Sequence, residues 1–172
     1  MAYCPPKTPA TGCLDVTIQE SIILPNFNVQ NSFNTFTVCG IKNYVTRTEV
    51  IDYQWNSGSL TEGGIGIIGF APDKKSLTPG SFVSSDVKYI RITNLPDSDK
   101  FASIFCVKTN SESVTFKVDP GQSLILSNDA FEVSSSVTAS FDYMNEIKAM
   151  AGDSSDATYT GSIQLEYVVA SS

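Results

Sequence analysis

Most of the chain from residue 36 onward alternates hydrophobic and polar side chains with a period of two. This period is typical of strands that bury one face. The run VKYIRITNLP at residues 87–96, for example, puts Ile90 and Ile92 on one face and Tyr89, Arg91 and Thr93 on the other. The runs YVTRTEVIDYQW (44–55), SVTFKV (113–118) and QSLILS (122–127) add many β-branched and aromatic residues, which favour strands.

Turn-forming residues separate these strands at intervals of about ten residues, a spacing typical of β-sandwiches and barrels. PDSD (96–99), Asn110–Glu112 and Asp119–Gly121 each predict a reversal, so we expect three hairpins in succession. FASIFCVKT (101–109) is apolar on both faces, as expected of a strand covered on both sides. We therefore predict an all-β fold, an antiparallel β-sandwich of jelly-roll type.

The C-terminal part contains the one stretch with partial helical spacing, FDYMNEIKAMAG at residues 141–152. Strand-like sequence on both sides of it favours a strand that crosses the sandwich and is joined by the loop GDSSDAT to the last strand. In that last strand we expect Ile163, Leu165, Tyr167 and Val169 to face inward and Gln164 and Glu166 to face outward.

Residues 1–35 differ from the rest because four prolines punctuate them and the segment 26–34 is polar with interspersed aromatics. Proline favours extended conformations and removes backbone donors. We predict an extended N-terminal arm over residues 1–35, with a short strand at 14–18 and another at 21–24, followed by the sandwich domain over residues 36–172. The alternative is that residues 14–18 form the first strand of the core domain.

The segment EGGIGIIGFAP, residues 62–72, matches the glycine spacing of dinucleotide-binding loops through Gly64, Gly66 and Gly69. Such a loop needs a helix that begins at the last glycine, because the amides at the helix N-terminus bind the pyrophosphate. Here Pro72 and the turn-forming segment 73–76 follow instead. We interpret GIGIIGF, residues 64–70, as a strand loosened by glycines and predict no cofactor.

Composition narrows the possible functions. The chain has 11 basic and 18 acidic residues, a net charge of -7 and no histidine. Such a charge repels nucleic acids and anionic membranes, so we expect neither as a partner. The absence of histidine excludes Ser-His-Asp and Cys-His nucleophile pairs and zinc sites that need imidazole. We predict a protein without catalytic, cofactor-binding or metal-binding residues; an enzyme is the hypothesis that ranks lowest.

The four cysteines are Cys4, Cys13, Cys39 and Cys106. Cys4 and Cys13 could close a small loop in an oxidising compartment, but residues 1–15 lack the features of a secretory signal, so we expect free thiols. Cys39 and Cys106 lie in apolar runs, where cysteine usually behaves as a small buried hydrophobic residue. No C-x-x-C pair suggests a metal site.

Three further sets of residues could bind ligands. Asp97 with Asp99, and Asp153 with Asp156, could donate oxygen ligands to calcium, although acidic residues in turns usually serve local backbone hydrogen bonds. Trp55 could stack on a sugar ring, although a lone tryptophan in a sandwich is more often part of the core. No acidic pair is flanked by aromatics in a way that suggests a glycosidase cleft.

Residues 88–151 and the C-terminal strand resemble small virion structural proteins of tailed bacteriophages, particularly those of marine and cyanobacterial hosts. The resemblance lies in YIRITNLPDSDKFASIFCVKT, VTFKVDPGQSLILSN, NEIKAMAGDSS and SIQLEYVVA, in that order. It covers about half of the chain, and its motifs are a framework without a catalytic site, so no functional residue carries over.

The resemblance implies a non-enzymatic protein of the virion, made in the host cytoplasm. We expect a capsid decoration or cement protein that binds the major capsid protein or another virion protein, forms a homo-oligomer and reaches across a neighbour with residues 1–35. One alternative is a subunit of the tail, neck or fibre. A different class, a carbohydrate-binding or adhesin module, would use Trp55 and the tyrosines as its stacking surface.

Overall fold

The computed structural model describes residues 11–23, 29–52, 64–127, 141–152 and 161–172. Within these residues the chain forms strands and two short 3-10 turns, Ser84–Asp86 and Phe141–Tyr143, and no α-helix. The prediction of an all-β fold with antiparallel sheets is therefore confirmed. The strands are β1 Gly12–Ile23, β2 Val29–Ile41, β3 Asn43–Asp52, β4 Ile65–Ala71, β5 Ser81–Val83, β6 Val87–Asn94, β7 Ala102–Lys108, β8 Ser113–Val118, β9 Ser123–Ser127, β10 Met144–Ala151 and β11 Ser162–Ser171.

The strands form three sheets. β1 and β2 pair in a two-stranded sheet, β3-β11-β6-β9 form a four-stranded sheet and β5-β4-β10-β7-β8 form a five-stranded sheet. All pairs are antiparallel except β4 with the short β5. Four of the pairs are nested in the sequence and alternate between the two larger sheets: β3 with β11, β4 with β10, β6 with β9, and β7 with β8.

One hydrophobic cluster draws on both larger sheets. It explains the period of two, because most strands contribute alternate residues to it, whereas β4 contributes the neighbours Ile67 and Ile68. β10, for example, contributes Ile147, Ala149 and Ala151, and its partner β7 contributes Ala102, Ile104 and Cys106. The other buried members are Ile51, Val87, Ile90, Ile92, Val118, Leu126, Phe141, Ile163, Leu165, Tyr167 and Val169.

The prediction of three successive hairpins over residues 87–127 is wrong. Only β7 and β8 form a hairpin, whereas β6 and β9 pair with each other in the other sheet. The chain changes sheets after β6 and again after β8. Turn residues reveal where a chain reverses, but the pairing partner depends on side chains that are distant in the sequence.

Asn94 makes hydrogen bonds to both of these connections, the one after β6 and the one after β8. Its side chain is fully buried, and Nδ2 donates hydrogen bonds to the carbonyl oxygens of Lys100 and Val118, both at 2.9 Å. Its backbone carbonyl accepts a bond of 2.7 Å from the amide of Gly121, and its own amide donates to the carbonyl of Gln122 at 3.0 Å. The connection from β6 to β7 and the connection from β8 to β9 are thus both bonded to this one residue.

Glycines allow β4 to lie close to its neighbours, as the interpretation of residues 64–69 as a strand requires. β4 runs through Gly66 and Gly69 to Ala71, so that interpretation is confirmed. A Cβ at Gly64 would lie 2.9 Å from the Cβ of Lys148, which is too close for carbon atoms. A Cβ at Gly69 would lie 3.3 Å from the Cβ of Ser81 on the parallel strand β5. The glycines at positions 64, 66 and 69 therefore allow neighbouring strands to pack closely.

Residues 144–151 form β10 in the middle of the five-stranded sheet, so the prediction of a strand there is confirmed. The inward positions predicted for β11 are also confirmed, since all four are buried. The prediction missed its opposite face, where Val168 and Ala170 are buried as well. The cause is the two-stranded sheet, which covers that face of the four-stranded sheet.

β1 and β2 are longer than the predicted strands. β1 includes residues 14–18 and continues through residue 23, and β2 begins at Val29, inside the segment expected to be polar and extended. The boundary predicted at residues 35 and 36 falls within β2. Residues 1–10 lie outside the described residues, and the division into an arm and a domain stays a prediction.

Candidate docking surface

The pair β1–β2, residues 12–23 and 29–41, is called the ribbon below. We call residues 12–16 and 36–41 its root and residues 17–23 and 29–35 its outer part. The root packs against the outer face of the four-stranded sheet through one apolar face. That contact buries Val38, Tyr89, Val168 and Ala170, and the partly buried residues Leu14, Val16, Phe36, Ile41 and Ile125 surround them.

The alternation of the ribbon changes between its root and its outer part. Leu14 and Val16 lie opposite Val38 and Phe36 on the apolar face, and the next residue of β1 on this face is the half-buried Ile18. Further along, the same face carries Glu20 opposite Ser32, both exposed. This polar pair interrupts the apolar face beyond Ile18.

Side chains of the outer part are exposed on both faces. Every described side chain there is solvent-exposed except that of Ile18, which is half-buried. Phe33 is the extreme case, because 65% of its surface is exposed although it is large and aromatic. Exposed aromatic side chains on a rigid strand are typical anchors in protein interfaces.

The face of the ribbon that points away from the sheet carries a ladder of cross-strand bonds. The Cys13–Cys39 disulfide lies at the root. Next to it, the hydroxyl of Thr37 donates a hydrogen bond of 2.6 Å to the Asp15 carboxylate. The hydroxyls of Thr17 and Thr35 share a bond of 3.1 Å. These links hold the register of the two strands.

The disulfide corrects two predictions. We expected free thiols and a buried Cys39, whereas Cys39 is exposed and bonded to Cys13. The pair forms because β2 extends past its apolar core residues and the strand register sets the two cysteines opposite each other. Cys106 is buried and free as predicted, and burial raises the pKa of its thiol to about 11.

The ribbon carries negative charge only. Residues 12–41 contain Asp15 and Glu20 and no lysine or arginine. Beside it, the outer face of the edge strand β3 presents two further exposed hydrophobic side chains, Tyr44 and Val50. The surface around the ribbon thus combines exposed apolar groups with hydroxyls and few charges.

A polar cluster lies at the inner face of β3. The hydroxyl of Tyr167 donates a hydrogen bond of 2.7 Å to Oε1 of Glu49, and Arg47 lies on the same face of the strand. Desolvation and then the bond to Glu49 raise the pKa of Tyr167 to about 12. The hydroxyl therefore stays protonated at neutral pH and acts as a donor that satisfies a half-buried carboxylate on an edge strand.

The residues weighed as ligand sites are not brought together. Asp97 and Asp99 are both exposed in the connection from β6 to β7. The described parts of the chain contain no group of three or more acidic, cysteine or histidine side chains placed to hold a metal ion. Trp55, Asp153 and Asp156 lie outside the described residues. Among the described segments, none forms a helix long and apolar enough to cross a membrane.

Within the described residues, the sequence did not reveal the most exposed aromatic side chain, Phe33, or the most buried polar side chain, Asn94. The sequence predicts a polar segment in an extended arm around Phe33, and it places Asn94 within the strand-like run 87–96 without a role of its own. The available signal for Phe33 was composition, since the run VQNSFNTFTV at residues 29–38 contains several β-branched and aromatic residues, which favour strands.

Comparisons with known proteins give no family assignment. The sequence matches no protein-family model and no curated protein.

Proposed function

We propose that this protein is a non-enzymatic virion structural protein, a capsid decoration or cement protein that binds the outer surface of a tailed-phage head through the outer part of its ribbon. In this proposal the two larger sheets are the scaffold, and the major capsid protein or another virion protein is the partner. The resemblance of residues 88–151 to phage structural proteins motivates the proposal.

The proposed fold is a β-sandwich of jelly-roll type. It is supported by the nested pairs, in which β3 with β11, β4 with β10, β6 with β9, and β7 with β8 alternate between two sheets. A long hairpin that is rolled up on itself has this order of pairs, and jelly rolls are common in viral capsid proteins. The shared hydrophobic cluster also supports it, because both sheets bury one face in it.

The ribbon is the observation that carries the proposed function. Its root is fixed to the four-stranded sheet, whereas its outer part exposes both faces and the Phe33 ring. A two-stranded ribbon offers free strand edges to which a partner can add a strand, and a fixed root lowers the entropy lost on binding. Many copies on one particle would gain further affinity through multivalency.

The charge of the chain agrees with a location on the outside of the head, away from the packaged genome. A net charge of -7 opposes contact with packaged DNA. The disulfide also agrees with a protein that persists on a particle in an oxidising medium, where such bonds are stable.

A shortened ribbon tests the proposal. In this variant two residues, Asn-Gly, replace residues 19–33, so that the pair Ile18 and Asn34, the packed root and the disulfide are kept. Purified protein is added to phage heads that lack it, the heads are sedimented and bound copies are counted by quantitative mass spectrometry. We expect occupancy to fall at least about tenfold, because truncating a hot-spot anchor costs about 2 kcal/mol or more.

Phe33→Ala is the single-residue version of the experiment, and Leu77→Ala is its matched control. Leu77 is also an exposed hydrophobic residue, but it lies far along the chain in the connection between β4 and β5. Loss of occupancy with Phe33→Ala and full occupancy with Leu77→Ala support the proposal. Full occupancy with the shortened ribbon would overturn the role of the ribbon. A count of a few tens of copies or fewer would instead favour the tail, neck or fibre.

A further inference from the structure

The Cys13–Cys39 disulfide closes the ribbon at the end opposite the segment that joins its strands. The two cysteines are paired in the strand register, and both are exposed on the face that points away from the sheet. A small reductant or a thiol can therefore reach the bond without any unfolding of the protein.

The ribbon depends on few contacts besides this bond. Isolated two-stranded hairpins are marginally stable in water. Among the described side chains, those in apolar contact with the four-stranded sheet belong to the root, and the bonds described for the outer part are its own backbone ladder and the hydroxyl pair of Thr17 and Thr35. A covalent link across 26 residues removes much of the conformational freedom that the opened ribbon would gain.

The other described cysteine does not compete for this bond. Cys106 lies on β7 within the main hydrophobic cluster, and its thiol is buried. Thiol–disulfide exchange needs an accessible thiolate, so Cys106 is excluded from it as long as the protein is folded.

We infer that Cys13 and Cys39 form a reversible redox clasp, which leaves the ribbon loose as a dithiol in a reducing cytoplasm and fixes it as a disulfide in an oxidising medium. The oxidant is a low-molecular-weight disulfide such as oxidised glutathione. One cysteine thiolate attacks it and displaces one thiol of reduced glutathione. The second cysteine thiolate then attacks the mixed disulfide and displaces the other. Two protein thiols are thus oxidised, and one glutathione disulfide is reduced to two thiols.

The redox clasp is a property of the isolated protein and does not depend on the presence of a virion. Its consequence for assembly rests on the proposed function: a loose ribbon can adapt to a neighbour while the particle forms, and the later bond fixes it there. The redox state would then change how long the protein stays on a particle rather than whether the sandwich folds.

The experiment uses the full chain with Cys4→Ser, so that the only accessible cysteines in it are the two of the ribbon. The protein is oxidised with glutathione disulfide or reduced with dithiothreitol, and amide hydrogen exchange is followed by mass spectrometry. On reduction we expect exchange in residues 17–23 and 29–35 to become faster by on the order of 100-fold, because the closed loop limits the open state. Exchange in β7 and β10 should stay the same.

Cys13→Ser/Cys39→Ser in the same background is the control. Its exchange should match that of the reduced protein, and dithiothreitol should have no effect on it. The clasp is refuted if glutathione disulfide leaves two titratable thiols in the ribbon, or if reduction leaves ribbon exchange unchanged. Because no particle is used, failure here leaves the proposed function standing. A second measurement, release of bound protein from heads with and without reductant, tests the consequence for assembly.

Discussion

The packing of the ribbon root on the four-stranded sheet can be tested at Val38. This side chain is 5% exposed and lies against Tyr89, Val168 and Ala170. Val38→Ala removes two methyl groups, which costs about 1.6 kcal/mol of transfer free energy at about 0.8 kcal/mol each. The cavity left behind adds about 1 kcal/mol, so the ribbon root should be weakened by about 2–3 kcal/mol in total.

Hydrogen exchange measures this loss directly, because an undocked ribbon exposes its amides while the two larger sheets stay folded. A loss of about 2–3 kcal/mol corresponds to a roughly 30- to 150-fold increase in exchange for amides of the root. Amides in β7 and β10 should keep their protection. Peptide-resolved exchange by mass spectrometry separates the two regions.

Val50→Ala is the matched control. It is the same change of side chain, placed on the outer face of the four-stranded sheet against which the root packs, but Val50 is 64% exposed and lies outside the apolar contact. It should change the free energy of ribbon opening, as measured by hydrogen exchange, by less than about 0.5 kcal/mol, as most surface substitutions do. Unchanged root protection in Val38→Ala, or equal effects of the two substitutions, would refute the docked root.

Three further substitutions test the two larger sheets. Gly64→Ala should destabilise the protein by about 1–3 kcal/mol in chemical denaturation, because the new Cβ would lie 2.9 Å from the Cβ of Lys148; an unchanged midpoint would refute the close approach. Asn94→Ala should cost about 2–4 kcal/mol, since it leaves two carbonyls without their donor; a loss below about 1 kcal/mol would contradict that role. Tyr167 has its pKa raised from 10.0 to about 12, so its neutral form stabilises the fold below pH 10 and this contribution is lost as the pH rises toward about 12. Tyr167→Phe should remove that alkaline loss in a pH series of thermal melts, and an identical pH profile would count against it.

The strands could be predicted from the sequence because their signal is local. A period of two, as in β6 and β11, depends only on which residues face the core. The glycines of β4 were interpreted correctly for a similar reason, since the absence of a helix start after Gly69 is visible in the neighbouring residues.

The pairing of strands could not be predicted because it depends on distant residues. β6 pairs with β9 and β11, which lie about 30 and 75 positions further along the chain, and nothing in their own sequences specifies this. The disulfide was missed for the same reason: Cys13 and Cys39 meet only through the register of β1 with β2. Burial of Val168 and Ala170 follows from that ribbon and not from the alternation within β11.

The scaffold and the docking surface also differ in how the sequence encodes them. The scaffold needs apolar residues at alternate positions, and many substitutions that preserve size would keep it. In the ribbon, apolar residues occupy one face through Ile18, and the exposed polar pair Glu20 and Ser32 follows on that face. That change of pattern within one strand is the feature by which the sequence distinguishes the packed root from the exposed outer part.

The central claim is that this protein is a component of the outside of a phage particle. Quantitative mass spectrometry of purified phage particles, from lysates in which the chain is expressed, tests this proposal most directly, because it gives both presence and copy number. We predict that the protein is present at hundreds of copies per particle and is removed from intact particles by mild surface proteolysis. Its absence from virions washed free of host protein would contradict the account.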